Sequence, residues 1–160
     1  MAFRPMRRTR QELSPAETED ILRRGSDGVL AVLGDEGYPY AVPLNYVYKD
    51  GKIYFHCAKE GHKFDALTRG PKVSFCVVDR NNVVPDEFAT YYKSAVAFGH
   101  ARLLKGAEAA QAVYDLGYKY NPVPEKVRAE VAKDLAHVAC FEITVDHLTG
   151  KQAKGLLPKA

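Results

Sequence analysis

The 160-residue sequence lacks the features that mark several specialised classes of protein. No apolar run approaches the roughly 18 residues that a membrane-spanning helix needs, and the N-terminus lacks the apolar segment of a signal peptide. We therefore expect a cytoplasmic protein. The net charge is only +3, which is too small to indicate a nucleic-acid-binding protein.

Cysteine is scarce and its positions indicate no structural cross-link. Cys57, Cys76 and Cys140 are widely spaced and form no CxxC pair, so neither a zinc ribbon nor a disulfide framework is predicted. The three histidines in the second half of the chain show no spacing typical of metal ligands. The sequence therefore predicts no metal site.

The composition is that of a globular chain, with 46% hydrophobic and 27% charged residues, and the length suits one domain. We place that domain at residues 14–150, between a basic N-terminal arm, 1–13, and a C-terminal tail, 151–160. A basic arm usually packs on a neighbouring surface or frays, and an RNA-binding arm is the less favoured alternative. Much of the positive charge lies in this arm, at Arg4, Arg7, Arg8 and Arg10.

Turn and breaker residues divide the domain into strands and helices. Ser14-Pro15-Ala16-Glu17 predicts a capped helix start, and Lys49-Asp50-Gly51 predicts a hairpin turn. Residues 79–90 are polar and predict a loop, while Gly99 indicates a bulge in a long strand. Further helices are predicted at 61–69, from Gly106 to the break at Asn121-Pro122, and at about 125–135. The six predicted strands are 29–33, 40–48, 53–58, 73–78, 92–104 and 138–145.

The order of these elements favours a mainly β fold with peripheral helices (β+α). Most neighbouring strands are joined by hairpins, which is typical of an antiparallel barrel. The elements do not alternate as βαβ units and no GxGxxG motif is present, so a dinucleotide-binding Rossmann fold is disfavoured.

One segment carries a specific chemical signal. A strand ending at Ala58 is followed by Gly61-His62-Lys63 and a short helix. A helix N-terminus preceded by glycine offers unpaired backbone N–H groups, and the lysine adds a positive charge; together these bind phosphate. The alternative is a surface helix with an ordinary solvated lysine.

The motifs resemble a known group of flavoproteins. DGVLAVLGDEGYPYAVPLNYVY, KIYFHCAKEGHKFDAL, YYKSAVAFGHARLL and the opening MRRTRQELS are similar to segments of the FMN-binding split-barrel superfamily that contains pyridoxamine 5′-phosphate oxidase. The closest likeness is to the nitroimidazole-resistance (Nim) flavoproteins, over roughly residues 6–150. The resemblance implies a six-stranded antiparallel split β-barrel that binds flavin mononucleotide (FMN).

The resemblance also implies which residues hold the cofactor. His56 and Cys57 match the end of a strand that faces the flavin, and His62 and Lys63 match the pair that holds its phosphate. Ser94 matches a polar flavin contact that usually comes from the second subunit of a dimer. The stretch that lies against the isoalloxazine ring and ribityl chain corresponds to Tyr40, Ala41, Val42, Pro43, Leu44 and Asn45.

Three positions depart from the oxidase pattern. The oxidase carries arginine where Tyr40 and His62 stand, and lysine where Asn45 stands. Its residues for the substrate phosphate have no clear counterpart here, which argues against pyridoxamine phosphate as the substrate. Histidine is also a weaker, pH-dependent phosphate partner than arginine.

His56 is the candidate catalytic residue, because a histidine near the reactive edge of a flavin could orient or protonate a substrate. The alternative is a structural histidine whose hydrogen bonds are satisfied within the fold. Tyr91 and Tyr92 could wall a pocket by stacking on a flat ring, although packing in the core or a dimer explains them equally well.

These observations favour a homodimeric FMN-dependent oxidoreductase. It would take electrons from NAD(P)H or another donor and reduce a small flat acceptor, which the Nim resemblance suggests is a nitroimidazole or nitroaromatic compound. The first alternative is a split-barrel protein that binds flavin or haem without turnover. The second is an enzyme of the pyridoxamine-phosphate oxidase type.

Overall fold

A computed structural model describes residues 3–157 of the chain, and it confirms the predicted fold class. Four helices surround one antiparallel sheet: α1 (Pro15–Arg24), α2 (His62–Arg69), α3 (Gly106–Tyr120) and α4 (Pro124–Asp134). The strands are β1 (Asp27–Leu33), β2 (Pro39–Asn45), β3 (Val47–Lys49), β4 (Lys52–Ala58), β5 (Lys72–Val84), β6 (Ala89–Leu103) and β7 (Val138–Gln152). None of the helices within 3–157 is long and apolar enough to cross a membrane.

The sheet closes on itself as a split barrel. Its strand order is β2-β1-β5-β6-β7-β4-β3, and every pairing is antiparallel. β2 and β3 lie at opposite ends of this order, yet only Tyr46 separates them along the chain. The two edges of the sheet must therefore meet at Tyr46, which is possible only if the sheet curls into a barrel.

The structure has seven strands where six were predicted, because the expected strand 40–48 is divided at Tyr46. This side chain is fully buried, and its hydroxyl donates a hydrogen bond of 2.7 Å to the Leu22 carbonyl in α1. Its ring also packs edge-on against Phe75, with centroids 4.9 Å apart. Anchoring this residue inside the barrel turns the chain, so β2 pairs with β1 while β3 pairs with β4.

The prediction of a loop at residues 79–90 is wrong. β5 and β6 continue through most of this segment as a hairpin, with Val84 paired to Ala89. Asn81 and Asn82 are paired with the two tyrosines of β6 and are exposed. The polar character of the segment reflects exposure of both faces of the hairpin to solvent, rather than a loss of strand structure.

Several local predictions are confirmed. Ser14 and Glu17 form a reciprocal capping box at the start of α1. The hairpin turn has left-handed conformations at Asp50 (φ 51°) and Gly51 (φ 76°), as a two-residue turn of this kind requires. The bulge at Gly99 is present, and a Cβ at this position would lie 2.2 Å from the Thr144 carbonyl oxygen, so only glycine fits.

The barrel strands carry apolar side chains on both surfaces, although polar residues such as Ser74 and Ser94 share the outer one. Inward-facing side chains such as Leu30 and Phe75 are fully buried. Outward-facing side chains on β1, β5 and β6 remain open to solvent, with exposures of 40% at Val29, 60% at Val78 and 41% at Phe98. We call this surface, centred on Val29, Cys76 and Val96, the outer face.

The N-terminal arm packs against the end of β7. Gln11 and Leu13 are buried, and the Leu13 N–H donates to the Gly150 carbonyl at 2.9 Å. The Gln11 side-chain amide donates to the Gln152 carbonyl at 3.0 Å. β7 runs without interruption through residue 150, where the domain boundary was placed.

Candidate functional site

The junction between β4 and α2 forms an open helix N-terminus. Gly61 has a φ of 101° and precedes the first residue of α2, and no side chain within 3–157 accepts a hydrogen bond at this cap. A Cβ at Gly61 would meet nothing within 4 Å, so the space in front of the helix is open. The N–H groups of the first helical turn have no partner inside the helix and point into this space.

Lys63 brings a positive charge to the same place. Its side chain is half-buried, and its charge acts on both His56 and Cys57 at the end of β4. The predicted phosphate-binding lysine therefore lies beside the helix N-terminus and close to the strand end.

His62 is engaged with the turn between β1 and β2. Its ring stacks on Tyr40, with centroids 4.1 Å apart and an interplanar angle of 18°. Its Nε2 accepts a hydrogen bond from the Asp35 N–H at 3.2 Å. In the neutral ring the proton is then on Nδ1, which leaves Nδ1 as the atom that can donate to an anion.

The predicted flavin-contacting stretch of β2 is divided between the two faces of the strand. Tyr40, Val42 and Leu44 are partly buried and pack against the barrel core. The alternate residues, Ala41, Pro43 and Asn45, are exposed on the outside. Because strand side chains alternate, only the second set can contact a ligand outside the barrel.

The same alternation places the side chains of His56 and Cys57 on opposite faces of β4. Cys57 packs against the core, where burial raises the pKa of its thiol, so the thiol is protonated at neutral pH. His56 faces outward. Its surroundings lower the pKa of its imidazole, chiefly by burial and less by the Lys63 charge, while Asp134 acts in the opposite direction. The His56 ring is therefore neutral at physiological pH.

A cavity of about 590 Å³ adjoins His56 at the opening of the barrel. Val47 of β3 pairs with Tyr54 of β4. If this antiparallel pairing continued two residues further, Asn45 would lie opposite His56. The two strands separate there instead, and both residues line the cavity. α3 and α4 form its other wall, with Val113, Leu116, Tyr120, Val127, Val131 and Asp134. This size and mainly apolar lining suit a small flat molecule.

The last turn of α3 holds the opening in place, which the sequence did not reveal. The Lys119 ammonium donates to the Tyr46 carbonyl at 2.8 Å and lies 4.1 Å from the centre of the Tyr46 ring. Burial lowers the pKa of this lysine to about 8. The Tyr120 hydroxyl accepts the Tyr46 N–H at 3.2 Å and donates to the Ser26 carbonyl. In the sequence, the only sign of these contacts is a lysine and a tyrosine immediately before the helix-breaking Asn121.

Ser94 lies apart from the other predicted residues. It is paired with Val78 and Lys151 on the outward side of the sheet, two residues from Val96. His100, at the α2 end of β6, is six residues away, which corresponds to roughly 20 Å of strand. Within one chain the structure therefore does not bring Ser94 to Lys63. Within 3–157, no group of three or more His, Cys, Asp or Glu side chains is placed to hold a metal ion.

Several solved structures share this fold. A conserved hypothetical protein of Mycobacterium tuberculosis superposes with a TM-score of 0.81 at 21% identity, covering 98% of this chain and 96% of that one. A candidate 5-nitroimidazole antibiotic resistance protein from Bacteroides thetaiotaomicron gives 0.73 at 22% identity, with 88% and 86% covered. The FAD and heme binding protein from Mycobacterium smegmatis gives 0.76 at 20% identity, with 94% and 77% covered.

No curated protein matches the chain in sequence. A family model does: the model described as pyridoxamine 5′-phosphate oxidase matches residues 14–152. The resemblance noted in the sequence motifs is thereby confirmed. The chain belongs to the pyridoxamine 5′-phosphate oxidase family.

Proposed function

We propose that this chain binds FMN at the β4–α2 junction and acts as a flavin-dependent oxidoreductase on a small flat acceptor. The observation that carries the proposal is the open first turn of α2, with Lys63 beside it. Family membership supports the same conclusion, since the matching family takes its name from an oxidase.

The donor set at this junction fits one phosphate group. The backbone N–H groups at the start of α2, the Lys63 ammonium and Nδ1 of His62 are all hydrogen-bond donors, and together they provide a net positive field. One helix N-terminus with one lysine matches the single phosphate of FMN more closely than the diphosphate of FAD. For this reason we favour FMN, although the Mycobacterium smegmatis relative is named for FAD.

The cavity beside His56 would hold the acceptor. A flavin held at the β4–α2 junction would supply the redox chemistry between a reduced nicotinamide and the acceptor. A neutral His56 offers one ring N–H donor and one ring nitrogen acceptor to a molecule in the cavity. Asn45 adds an amide at the same opening, although its Nδ2 already donates to the Ser26 carbonyl at 3.1 Å. The name of the Bacteroides relative supports a nitroimidazole or nitroaromatic acceptor.

A second copy of the chain would cover the outer face. The outer face presents Val29, Cys76 and Val96 side by side on three neighbouring strands, and exposed apolar surface of this kind is typical of an interface. A two-fold dimer buries the same patch on both subunits. Ser94 lies on this face, which would allow it to meet the partner's flavin.

The cytoplasmic location stays a prediction.

A binding protein without turnover is the second candidate. His56 lines a mainly apolar cavity, and its imidazole would be able to ligate the iron of a haem held there. The Mycobacterium smegmatis relative is named as a FAD and heme binding protein. A pyridoxamine-phosphate oxidase activity is disfavoured by Tyr40, Asn45 and His62, which replace the cationic residues of the oxidase pattern.

A flavin titration tests the binding site. Purified protein should bind FMN at micromolar concentrations, and Lys63→Gln should weaken FMN binding at least tenfold, because it removes the phosphate counter-charge. Lys72→Gln, which removes an exposed lysine from β5, is the matched control and should change affinity less than twofold. Riboflavin has no phosphate, so the Lys63→Gln variant should bind it as the unchanged protein does. Equal FMN affinities in the two lysine variants would refute the site.

A turnover assay separates the two candidate functions. Steady oxidation of NADPH with a nitroaromatic acceptor, dependent on added FMN, would exclude a purely binding role. His56→Gln should then lower the rate while leaving FMN affinity unchanged. Tight flavin or haem binding with no turnover would instead favour the binding protein.

A further inference from the structure

A second polar site lies at the end of the barrel away from α2. The arm, the start of β6 and the residues after β7 line an open groove of about 880 Å³. Tyr91 is paired with Asn82, ten residues along β5 from Lys72, so the groove lies roughly 30 Å from the α2 end of the sheet. We call this site the basic groove. One small ligand cannot occupy both sites of a single chain.

The basic groove concentrates positive charge. Among the described residues that line it, the one carboxylate is that of Glu87, which accepts a hydrogen bond from the Tyr91 hydroxyl. No ion pair within 4.0 Å joins the cationic side chains of the groove to a carboxylate of residues 3–157. Like charges held together repel each other unless an anion is present. The cations are Arg7, Arg8, Arg10 and Lys154.

The groove is held together by the fold. The residues beside these arginines are tied to β7: the Gln11 amide donates to the Gln152 carbonyl, and Glu12 forms a bridge with Lys151. On the other side, the Ala153 N–H donates to the Tyr92 carbonyl at 2.9 Å. A Cβ at Gly155 would lie 1.9 Å from the Tyr91 ring, so the turn after β7 rests directly on that ring. The arginines are therefore presented on an ordered surface.

We propose that the basic groove binds a nucleotide carrying at least two phosphate charges. The planar guanidinium group pairs with phosphate oxygens through two parallel hydrogen bonds, which suits Arg7 and Arg10 to this role. Tyr91 supplies an aromatic ring on which a base can stack. The volume lies in the range of small-molecule sites. This inference is independent of the proposed flavin site.

Calorimetric titration of FMN-saturated protein with ADP tests the inference. We expect ADP to bind with a Kd below about 100 µM at low salt, and adenosine, which has no phosphate, to bind at least tenfold more weakly. Raising the salt from 50 to 200 mM should weaken ADP binding several-fold, because the contacts are exposed ion pairs. NADPH is titrated separately, since a free nucleotide and the adenylate half of a dinucleotide share this chemistry. Tighter binding of NADPH than of ADP would identify a dinucleotide as the ligand.

Variants assign the binding to the groove. Arg7→Gln combined with Arg10→Gln should weaken ADP at least tenfold without changing FMN affinity. Lys72→Gln combined with Arg128→Gln removes the same charge from other exposed positions and should change ADP affinity less than twofold. Tyr91→Leu should weaken ADP more than it weakens pyrophosphate, because only ADP has a base to stack.

Four results would overturn the proposal. They are no ADP binding up to 1 mM, equal ADP affinity in the Arg7→Gln/Arg10→Gln variant, weakened ADP binding in Lys63→Gln, and far tighter binding of a single-stranded RNA. The third result would place ADP at the flavin site, and the fourth would identify the arm as an RNA-binding element.

Discussion

The two faces of the barrel strands both carry apolar side chains, but these lie in very different surroundings. On β5, Phe75 faces inward and is fully buried, while Val78 faces outward and is 60% exposed. On β6, Ala97 is buried and its neighbour Phe98 is 41% exposed. A soluble chain usually places polar residues on the solvent face of an antiparallel sheet. The interior of this barrel is complete within one chain, whereas the outer face leaves apolar side chains in solvent, which the proposed dimer would cover.

Substitutions on the two faces should differ most in how far they lower the free energy of unfolding. Phe75→Ala should lower the free energy of unfolding by about 3–5 kcal/mol, since it leaves a cavity among fully buried side chains. Val78→Ala should cost about 1 kcal/mol or less, because the methyl groups it removes are exposed. Urea unfolding followed by circular dichroism measures both. Similar losses in the two variants would contradict the distinction between the faces.

An intermediate effect is expected on association. Val29→Lys places a charge at the centre of the outer face and should convert a dimer to a monomer in analytical ultracentrifugation, with the circular dichroism spectrum unchanged. Val123→Lys is the matched control: Val123 is 38% exposed, close to the 40% of Val29, but lies between α3 and α4. The proposed dimer through the outer face would be contradicted if the unchanged protein were monomeric, or if the Val29→Lys variant were still dimeric.

The smallest effect concerns the outward-facing His56. Burial lowers the pKa of its imidazole in the folded chain, so below about pH 6.5 the unfolded chain binds more protons at this residue. The free energy of unfolding should therefore fall as the pH drops from 6.5 through the lowered pKa, and His56→Gln should reduce that slope. The effect is small because it comes from a single, partly desolvated imidazole. Urea unfolding at several pH values between 5 and 8 measures it, and identical slopes would show that His56 does not titrate differently in the two states.

The sequence predicted the fold class because the signals for it are local. The capping box at Ser14, the turn at Asp50-Gly51 and the bulge at Gly99 each depend on a few neighbouring residues, and each is confirmed. The hairpin at 79–90 and the break at Tyr46 were missed. Both depend on what lies across the fold: strand pairing in the first case, and the Leu22 carbonyl in the second.

The same division applies to the candidate site. The Gly61-His62-Lys63 segment was found because helix start, glycine and lysine are adjacent in the chain. The cavity could not be predicted, since it joins Asn45 and His56 to α3 and α4. The stacking of His62 on Tyr40 brings together residues 22 positions apart, and no sequence period indicates such a contact.

The position of β7 has a consequence for how the barrel forms. This last strand lies between β6 and β4, so the β3–β4 hairpin has no other neighbour in the sheet until residues 138–152 arrive. During synthesis the residues up to Leu103 can pair β2, β1, β5 and β6, but β4, which carries His56, has only β3 as a strand partner at that stage. The strand that carries His56 therefore joins the rest of the sheet last, in the step that closes the barrel.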